Sequence, residues 1–273
     1  MIKFGCHGST WQLDYDVESD RMPEILDAIN KAGFKGIDAQ VKLLGRFQNQ
    51  PLAFKEELQN RGLELAALTF PFSWETKEIK KRELELAEYY IDYLQYFPGA
   101  KLNIAPRVHA ERKNVDENHQ KIIILANEIG ELAKEKKILA SFHPSSPPGS
   151  YFRNSQDYQY MFDNLNFDTL SYTPDAGHIA FSDINVLEIF KNNLHRIKHV
   201  HFKDASLNNE WKKMGDGDID FPAIVSLLQD NGYDGWIMVE EETKQSEMNP
   251  NQAIMDIGQY VEKNLIPEVK NNV

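Results

Sequence analysis

The sequence predicts an α/β fold, a single (β/α)8 (TIM) barrel, on three observations. Short apolar runs rich in β-branched and aromatic residues alternate with longer stretches whose apolar positions recur at the helical period, and eight such pairs can be counted. Each apolar run leads into a polar loop, the order of repeated strand–helix units. No Gly/Ser linker, low-complexity block or break in composition divides the 273 residues. One closed barrel over residues 1–273 therefore accounts for a length that a prior of about 150 residues per domain would split in two. An open doubly wound sheet competes with it, but no G-x-G-x-x-G follows the first strand to serve a dinucleotide.

In order, the expected strands cover residues 2–6, 36–39, 64–69, 101–104, 138–142, 170–173, 197–202 and 235–239. The clearest helices cover 77–96 and 117–136. In the second, Ile122, Leu125, Ala126, Ile129, Leu132 and Ala133 form one apolar stripe. Further helices follow Pro23, Ser155, Asp183, Asp220 and Pro250, where Ser, Asp or Pro supplies a start signal. Gly33 and Gly232 stand where a helix must end before the next strand and read as left-handed stops.

Composition narrows the function. The formal charge is −12, the wrong sign for a surface that must neutralise a phosphate backbone, so no nucleic-acid partner is expected. A single cysteine, Cys6, rules out an intrachain disulfide framework and a cysteine-based zinc ribbon, and fits a reducing compartment. Residues 1–8 enter a strand-like run without a basic and apolar leader, and no stretch approaches about 18 apolar residues. A cytoplasmic protein without a membrane partner is the expectation. With 41% hydrophobic residues, 15 Phe and 11 Tyr, the chain has ample material for a large core.

In such a barrel, active groups lie at or just beyond the carboxyl ends of the strands. Reading those positions gives His7, Asp38, Thr69, Asn103, His143, Asp175, His201 and Glu240. Any one of them alone reads as a turn or cap residue, so the argument lies in their convergence. Period-2 alternation puts Trp236, Met238 and Glu240 on one face and Val239 and Glu241 on the other, so only one of the adjacent acids can point inward. The competing reading of Glu240-Glu241-Glu242 is a solvated acidic cluster. His199, His201 and Lys203 also share a face, with His199 the deepest and read as a hydrogen-bonded core or interface histidine. Asp175 and His178 follow the sixth strand, where they fit either a helix cap with a packed imidazole or a functional pair. Two acids and imidazoles make a mixed oxygen and nitrogen site suited to one divalent ion, Mn2+, Co2+, Fe2+, Mg2+ or Zn2+.

Four segments carry a family resemblance: Asp175-Ala-Gly-His178, His199-Val-His201-Phe-Lys203-Asp204, Gly215-Asp-Gly217-Asp-Ile-Asp-Phe221 and Gly235-Trp-Ile-Met-Val-Glu240. In this order and spacing they resemble the second half of the xylose isomerase-like sugar isomerase and epimerase superfamily, nearest to inosose dehydratase-like proteins. The match is dense from about residue 138 onward and architectural before it, as in Ala32-Gly-Phe-Lys-Gly-Ile-Asp38. The resemblance implies a barrel binding one divalent metal through a Glu, an Asp, a His and a Glu from strands five to eight. Asp175, His201 and Glu240 match three of these ligands, and His178 and Lys203 match substrate contacts. The apurinic endonucleases that share this fold need further zinc ligands and a basic groove, which the charge of −12 does not supply.

Strand five departs from the pattern. It reads Leu139-Ala140-Ser141-Phe142-His143-Pro144, with no Glu, and the following loop has Arg153 where a carboxylate would be expected. His143 is left as either a nitrogen ligand or a substrate contact, and three ligands plus water still make an open metal site. The expected reaction is metal-assisted dehydration of an inosose-like keto-polyol through an enolate, with Glu240 or His143 moving the proton. Ketose or sugar-phosphate epimerisation and a barrel that binds a sugar without turning it over are the alternatives. Arg153 is read either as a reader of an anionic group or as a solvated loop charge, and Trp11 as a sugar-stacking ring, loop packing or a subunit contact. A homo-oligomer stays open.

Overall fold

The computed structural model describes residues 1–11 and 21–267. Its strands are β1 (Lys3–His7), β2 (Gly36–Gln40), β3 (Glu64–Phe72), β4 (Lys101–Pro106), β5 (Ala140–Phe142), β6 (Leu170–Tyr172), β7 (Val200–Phe202), the pair β8 (Asp204–Ser206) and β9 (Glu210–Lys212), and β10 (Trp236–Val239). Eight of them form one parallel sheet in the order β6-β5-β4-β3-β2-β1-β10-β7. Parallel bridges Tyr172–Ile197 and Asp175–His201 join the two ends, so each barrel strand lies beside its neighbours in the chain and no edge is left open. Each expected strand is found. β3 and β4 run longer than the apolar pattern indicates because their pairing continues in register to Phe72 opposite Pro106.

The strands are buried on both faces, which is why they read as continuous apolar runs. Around them pack α1 (Met22–Lys31), α2 (Pro51–Asn60), α3 (Lys77–Leu94), α4 (Val115–Glu135), α5 (Ser155–Asn164), α6 (Ala176–Ala180), α7 (Val186–Asn193), α8 (Phe221–Asp230), α9 (Lys244–Met248) and α10 (Pro250–Tyr260). The expected stripe on α4 lies inward, with Ile122, Leu125, Ala126, Ile129 and Ala133 fully buried. Side-chain caps start the helices after the loops: Thr76 accepts from Ile79 N–H, Asn154 from Asp157 N–H and Asp220 from Ala223 N–H. The start expected at Asp183 is displaced. Asp183 takes a left-handed conformation, φ 54°, and Asn185 caps α7 instead. Gly33 and Gly232 do adopt positive φ, 88° and 73°.

Two features lie outside the expectation. Between β2 and β3 a 3-10 run over Val41–Asn49, broken at Gly45, precedes α2, and the β8–β9 pair projects from the loop after β7. No helix among the described residues is long and apolar enough to cross a membrane.

Candidate functional site

The carboxyl ends of the strands open into a cavity of about 460 Å³ whose lining includes His7, His143, His178, His201, Lys203 and Glu240. A larger hollow, about 720 Å³, sits at the opposite ends of the strands around Lys3, Lys101 and Lys198. Chemistry, not size, distinguishes the two: the acid and imidazole cluster belongs to the first.

Strand geometry aims the side chains. Glu240 follows β10 and is 97% buried, with its backbone N–H on Phe202 C=O, while Glu241 turns away and its N–H is held by the Thr10 hydroxyl. The three-acid run is therefore not a solvated cluster at its first member. Glu240 Oε2 is met by the Ser9 hydroxyl and, at 3.3 Å, by His7 Nδ1; Oε1 faces His201 Nδ1 at 3.4 Å and Lys203 Nζ at 3.6 Å. Asp175 serves both readings of its position at once. Its Oδ1 caps α6 by accepting from His178 N–H at 3.0 Å, while Oδ2 looks into the cluster, 3.7 Å from His143 Nε2 and 3.8 Å from Lys203 Nζ. His178 Nδ1 contacts the Ser146 hydroxyl at 2.9 Å and Nε2 lies 3.2 Å from Lys203 Nζ. Lys203 also pairs with Glu242 at 3.1 Å.

Below this floor, Asp38 in the middle of β2 is fully buried. Its Oδ2 lies 2.9 Å from Nε2 of both His199 and His201, and its Oδ1 accepts from the Thr69 hydroxyl at 2.8 Å. His199 is thus the hydrogen-bonded core histidine that its depth predicts.

Among the described residues, three groups offer ligand atoms within 4.8 Å of one another: His7, His201 and Glu240; His143, Asp175 and His201; and Asp38, His199 and His201. The third has its oxygens already occupied by N–H and O–H donors, which leaves the first two. They share His201 and flank it, so Asp175, His201 and Glu240 reach one floor without forming a single compact trio, and Lys203 stands between the two acids. Four atoms there are buried and without a hydrogen bond: His7 Nε2, His143 Nε2, Asp175 Oδ2 and His201 Nδ1. Buried polar atoms left unmade cost about 1–3 kcal/mol each, so their concentration here marks a place shaped for an electropositive guest. The residues fit a divalent ion with His143 supplying nitrogen where a strand-five Glu is absent, and Glu242 offsetting the charge of Lys203.

Trp11 and Arg153 are not in the lining of the cavity. Trp11 is buried, with its indole N–H on Asn251 Oδ1 at 2.8 Å, and lies away from the cavity. Arg153 donates from Nε to Ser146 C=O at 3.2 Å and from its backbone to Asp157, bracing the loop after β5 instead of lining the opening. His7 and Asp38 stood among the strand-end residues without a role, and the structure puts both at the centre. Ser9 and Glu242 carried no periodic signal.

Charge states follow from burial and neighbours. Burial pulls His178 down to about 3, aided by the charge of Lys203, and pulls His199 to about 3 against its bond to Asp38. Burial also lowers His143. For His201 burial is overcome by its hydrogen bond to Asp38 and by the charges of the Asp38 and Glu240 carboxylates, and the imidazole is raised to about 10. Burial would raise Asp175, but His178 and Lys203 hold it down to about 2; against burial, Lys203 and His7 likewise keep Glu240 well below the usual range.

These shifts set the stability of the ion-free protein against pH. His178 and His199, neutral when folded and titrating at about 6.5 when unfolded, lose their contribution as pH falls from about 6.5 towards 3. The lowered acids contribute above about pH 4 and lose it below, Asp175 through about 2. His201 works in the other sense, its contribution complete below about pH 6.5 and lost as pH rises towards 10. Thermal unfolding followed by circular dichroism in chelator is expected to show Tm falling already between about pH 6.5 and 5, before ordinary carboxylates titrate. A flat Tm across that window would contradict the neutral buried imidazoles.

A family model described as "Xylose isomerase-like TIM barrel" matches residues 26–262. The chain belongs to the xylose isomerase-like TIM-barrel family. An inosose dehydratase of Clostridium botulinum is 27% identical over 262 aligned positions, covering 85% of this chain and 86% of that protein. Among solved structures, the IOLI protein with a bound zinc atom superposes with a TM-score of 0.76 at 17% identity over 99% of both chains. The 3-keto-D-glucoside 4-epimerase YcjR of E. coli gives 0.75 at 18%, over 96% of this chain and 100% of its own. At these identities the two structures speak for the fold of this family member.

Proposed function

We propose that this family member is a sugar- or cyclitol-modifying enzyme that dehydrates a keto-polyol of the inosose class. The observation that carries the reading is the set of unbonded, buried ligand atoms of His143, Asp175 and His201 facing Glu240 at the cavity floor. The inosose dehydratase relatives supply the substrate class. Asp175, His201 and Glu240 would hold the divalent ion, and His143 would either complete that set or, kept off the ion, handle a proton. When bound, such an ion polarises a substrate carbonyl and makes the neighbouring C–H acidic.

The protein's own groups do the rest. Glu240, held ionised, takes the α-proton, and the electron pair of that C–H bond becomes the new C=C bond as the β-hydroxyl leaves. The departing hydroxyl takes the proton that Glu240 has accepted and leaves as water, which returns Glu240 to its ionised form. Lys203 and His178 face the cavity to hold substrate oxygens, and His143, kept neutral by burial, is a second proton carrier on the opposite flank of His201 when it is not a ligand. That flanking arrangement gives epimerisation a specific footing as the second reading, since it offers one proton-handling group on each side of a planar enolate. Product mass separates them: dehydration removes one water, epimerisation only exchanges a C–H proton with solvent.

The test is metal analysis of the purified protein followed by turnover on a panel of keto-polyols with and without added Mn2+, Co2+ or Zn2+. Ion-dependent loss of water is expected. Ion affinity is expected to rise with pH, because His201 must give up a proton to bind. Failure to bind any of these ions, together with no turnover on the panel, overturns the proposal.

A further inference from the structure

We propose that Asp38 is a positioning residue that keeps the proton of His201 on Nε2 and so presents Nδ1 to the cavity floor. The inference deepens the function proposed above and rests on it only in taking the cavity floor as the place where His201 meets its guest. An ionised carboxylate has acceptors and no donor, so a partner at hydrogen-bond distance must bring the proton. Asp38 has three such partners: Nε2 of His199 and of His201, each at 2.9 Å on Oδ2, and the Thr69 hydroxyl at 2.8 Å on Oδ1. Thr69 is held in turn by the Asn103 amide at 3.1 Å, which directs its hydroxyl proton to Asp38. Residues of β2, β3, β4 and the β7 segment thus fix one buried carboxylate from several sides.

The consequence is chemical. With Nε2 carrying the bonded proton, Nδ1 is the position of His201 that exchanges a proton for a guest. Nδ1 is the atom that lies 3.4 Å from Glu240 and makes no hydrogen bond. His201 is also common to both groups proposed to hold the ion, so a ring flip or a shift of its proton to Nδ1 would disable both together. Carboxylates behind ligating imidazoles commonly set tautomer and orientation in this way, and their removal costs about 10–100-fold in ion affinity or activity. Neither His201 nor Glu240 needs to change for that loss to occur.

The test uses the full chain, 15N-labelled at histidine, with zinc alone as the probe. In the wild type, His201 is expected to show a slowly exchanging, hydrogen-bonded Nε2–H with and without zinc. Asp38→Leu, which keeps bulk but no acceptor, is expected to lose that resonance and to bind zinc about 10–100-fold more weakly by chelator competition. Asp38→Asn, which keeps one acceptor oxygen without the charge, should retain the resonance and fall between the two. A wild-type His201 without an Nε2–H overturns the proposal even if the leucine variant fails to fold, and so does a folded leucine variant with wild-type resonance and affinity. A wild type that shows the resonance but binds no ion counts against the ion reading of the cavity and leaves the positioning role supported.

Discussion

Glu240→Gln is expected to lower kcat by about 10²–10⁴-fold while leaving KM close to the wild-type value. The substitution keeps the shape of a side chain that is 97% buried and removes the charge that faces Lys203 and His201. Amide nitrogen or oxygen can still meet the Ser9 hydroxyl, and Lys203 keeps Asp175 and Glu242 as partners, so the cavity holds its form. With the ion kept saturating, so that the lost ligand charge does not limit occupancy, what disappears is the group that accepts the substrate proton, an interaction made in the transition state and not in substrate binding, which is why the loss belongs in kcat. Glu240→Asp restores the charge on a shorter arm and is expected to recover part of the rate. Steady-state kinetics on a keto-polyol turned over by the wild type check both. A glutamine variant within tenfold of the wild-type kcat removes Glu240 from the proton transfer and moves that task to His143.

Much of this site can be read along the chain, and the reason is geometric. Barrel strands are buried on both faces, so they appear as unbroken apolar runs, and the residue after each run must lie at the rim. Period-2 alternation then suffices to turn Glu240 inward and Glu241 away. The convergence of the first strands on the last is less visible. β1 lies next to β10, so His7 meets Glu240 across more than two hundred residues, and Asp38 reaches His199 and His201 across the barrel. Both residues stood at strand ends, but only closure says what they touch. Loop residues carry no period at all, and Trp11 and Arg153 show the result: one turns to Asn251 and the core, the other to the Ser146 carbonyl. The segment before β3 escapes for a related reason. Gly45 breaks the 3-10 run with φ 47°, and α2 buries only Phe54 and Leu58, too few positions to declare a helical stripe.

Lys203→Met is expected to produce the largest loss of stability, about 3–5 kcal/mol near neutral pH, because it removes one partner from a buried set of charges and leaves the others uncompensated. The ammonium is 99% buried, 3.6 Å from Glu240, 3.8 Å from Asp175 and 3.1 Å from Glu242, and against the penalty of burial these acids hold its pKa above the ordinary value. Methionine fills nearly the same volume, so the effect isolates charge from packing. In the variant three carboxylates face one another without their cation, and each resists ionisation more strongly. Two signatures follow that a packing defect would not give. The deficit relative to wild type should shrink as pH falls and the acids take up protons, whereas a cavity costs the same at every pH. Added Mn2+ or Zn2+ should recover part of the lost Tm in the variant by more than it raises that of the wild type, since a divalent ion supplies the missing positive charge between Asp175 and Glu240. Differential scanning calorimetry at several pH values, with and without the ion, reads both. A deficit constant in pH and indifferent to the ion would show that Lys203 acts by filling space and not as the built-in counter-charge of the two acids.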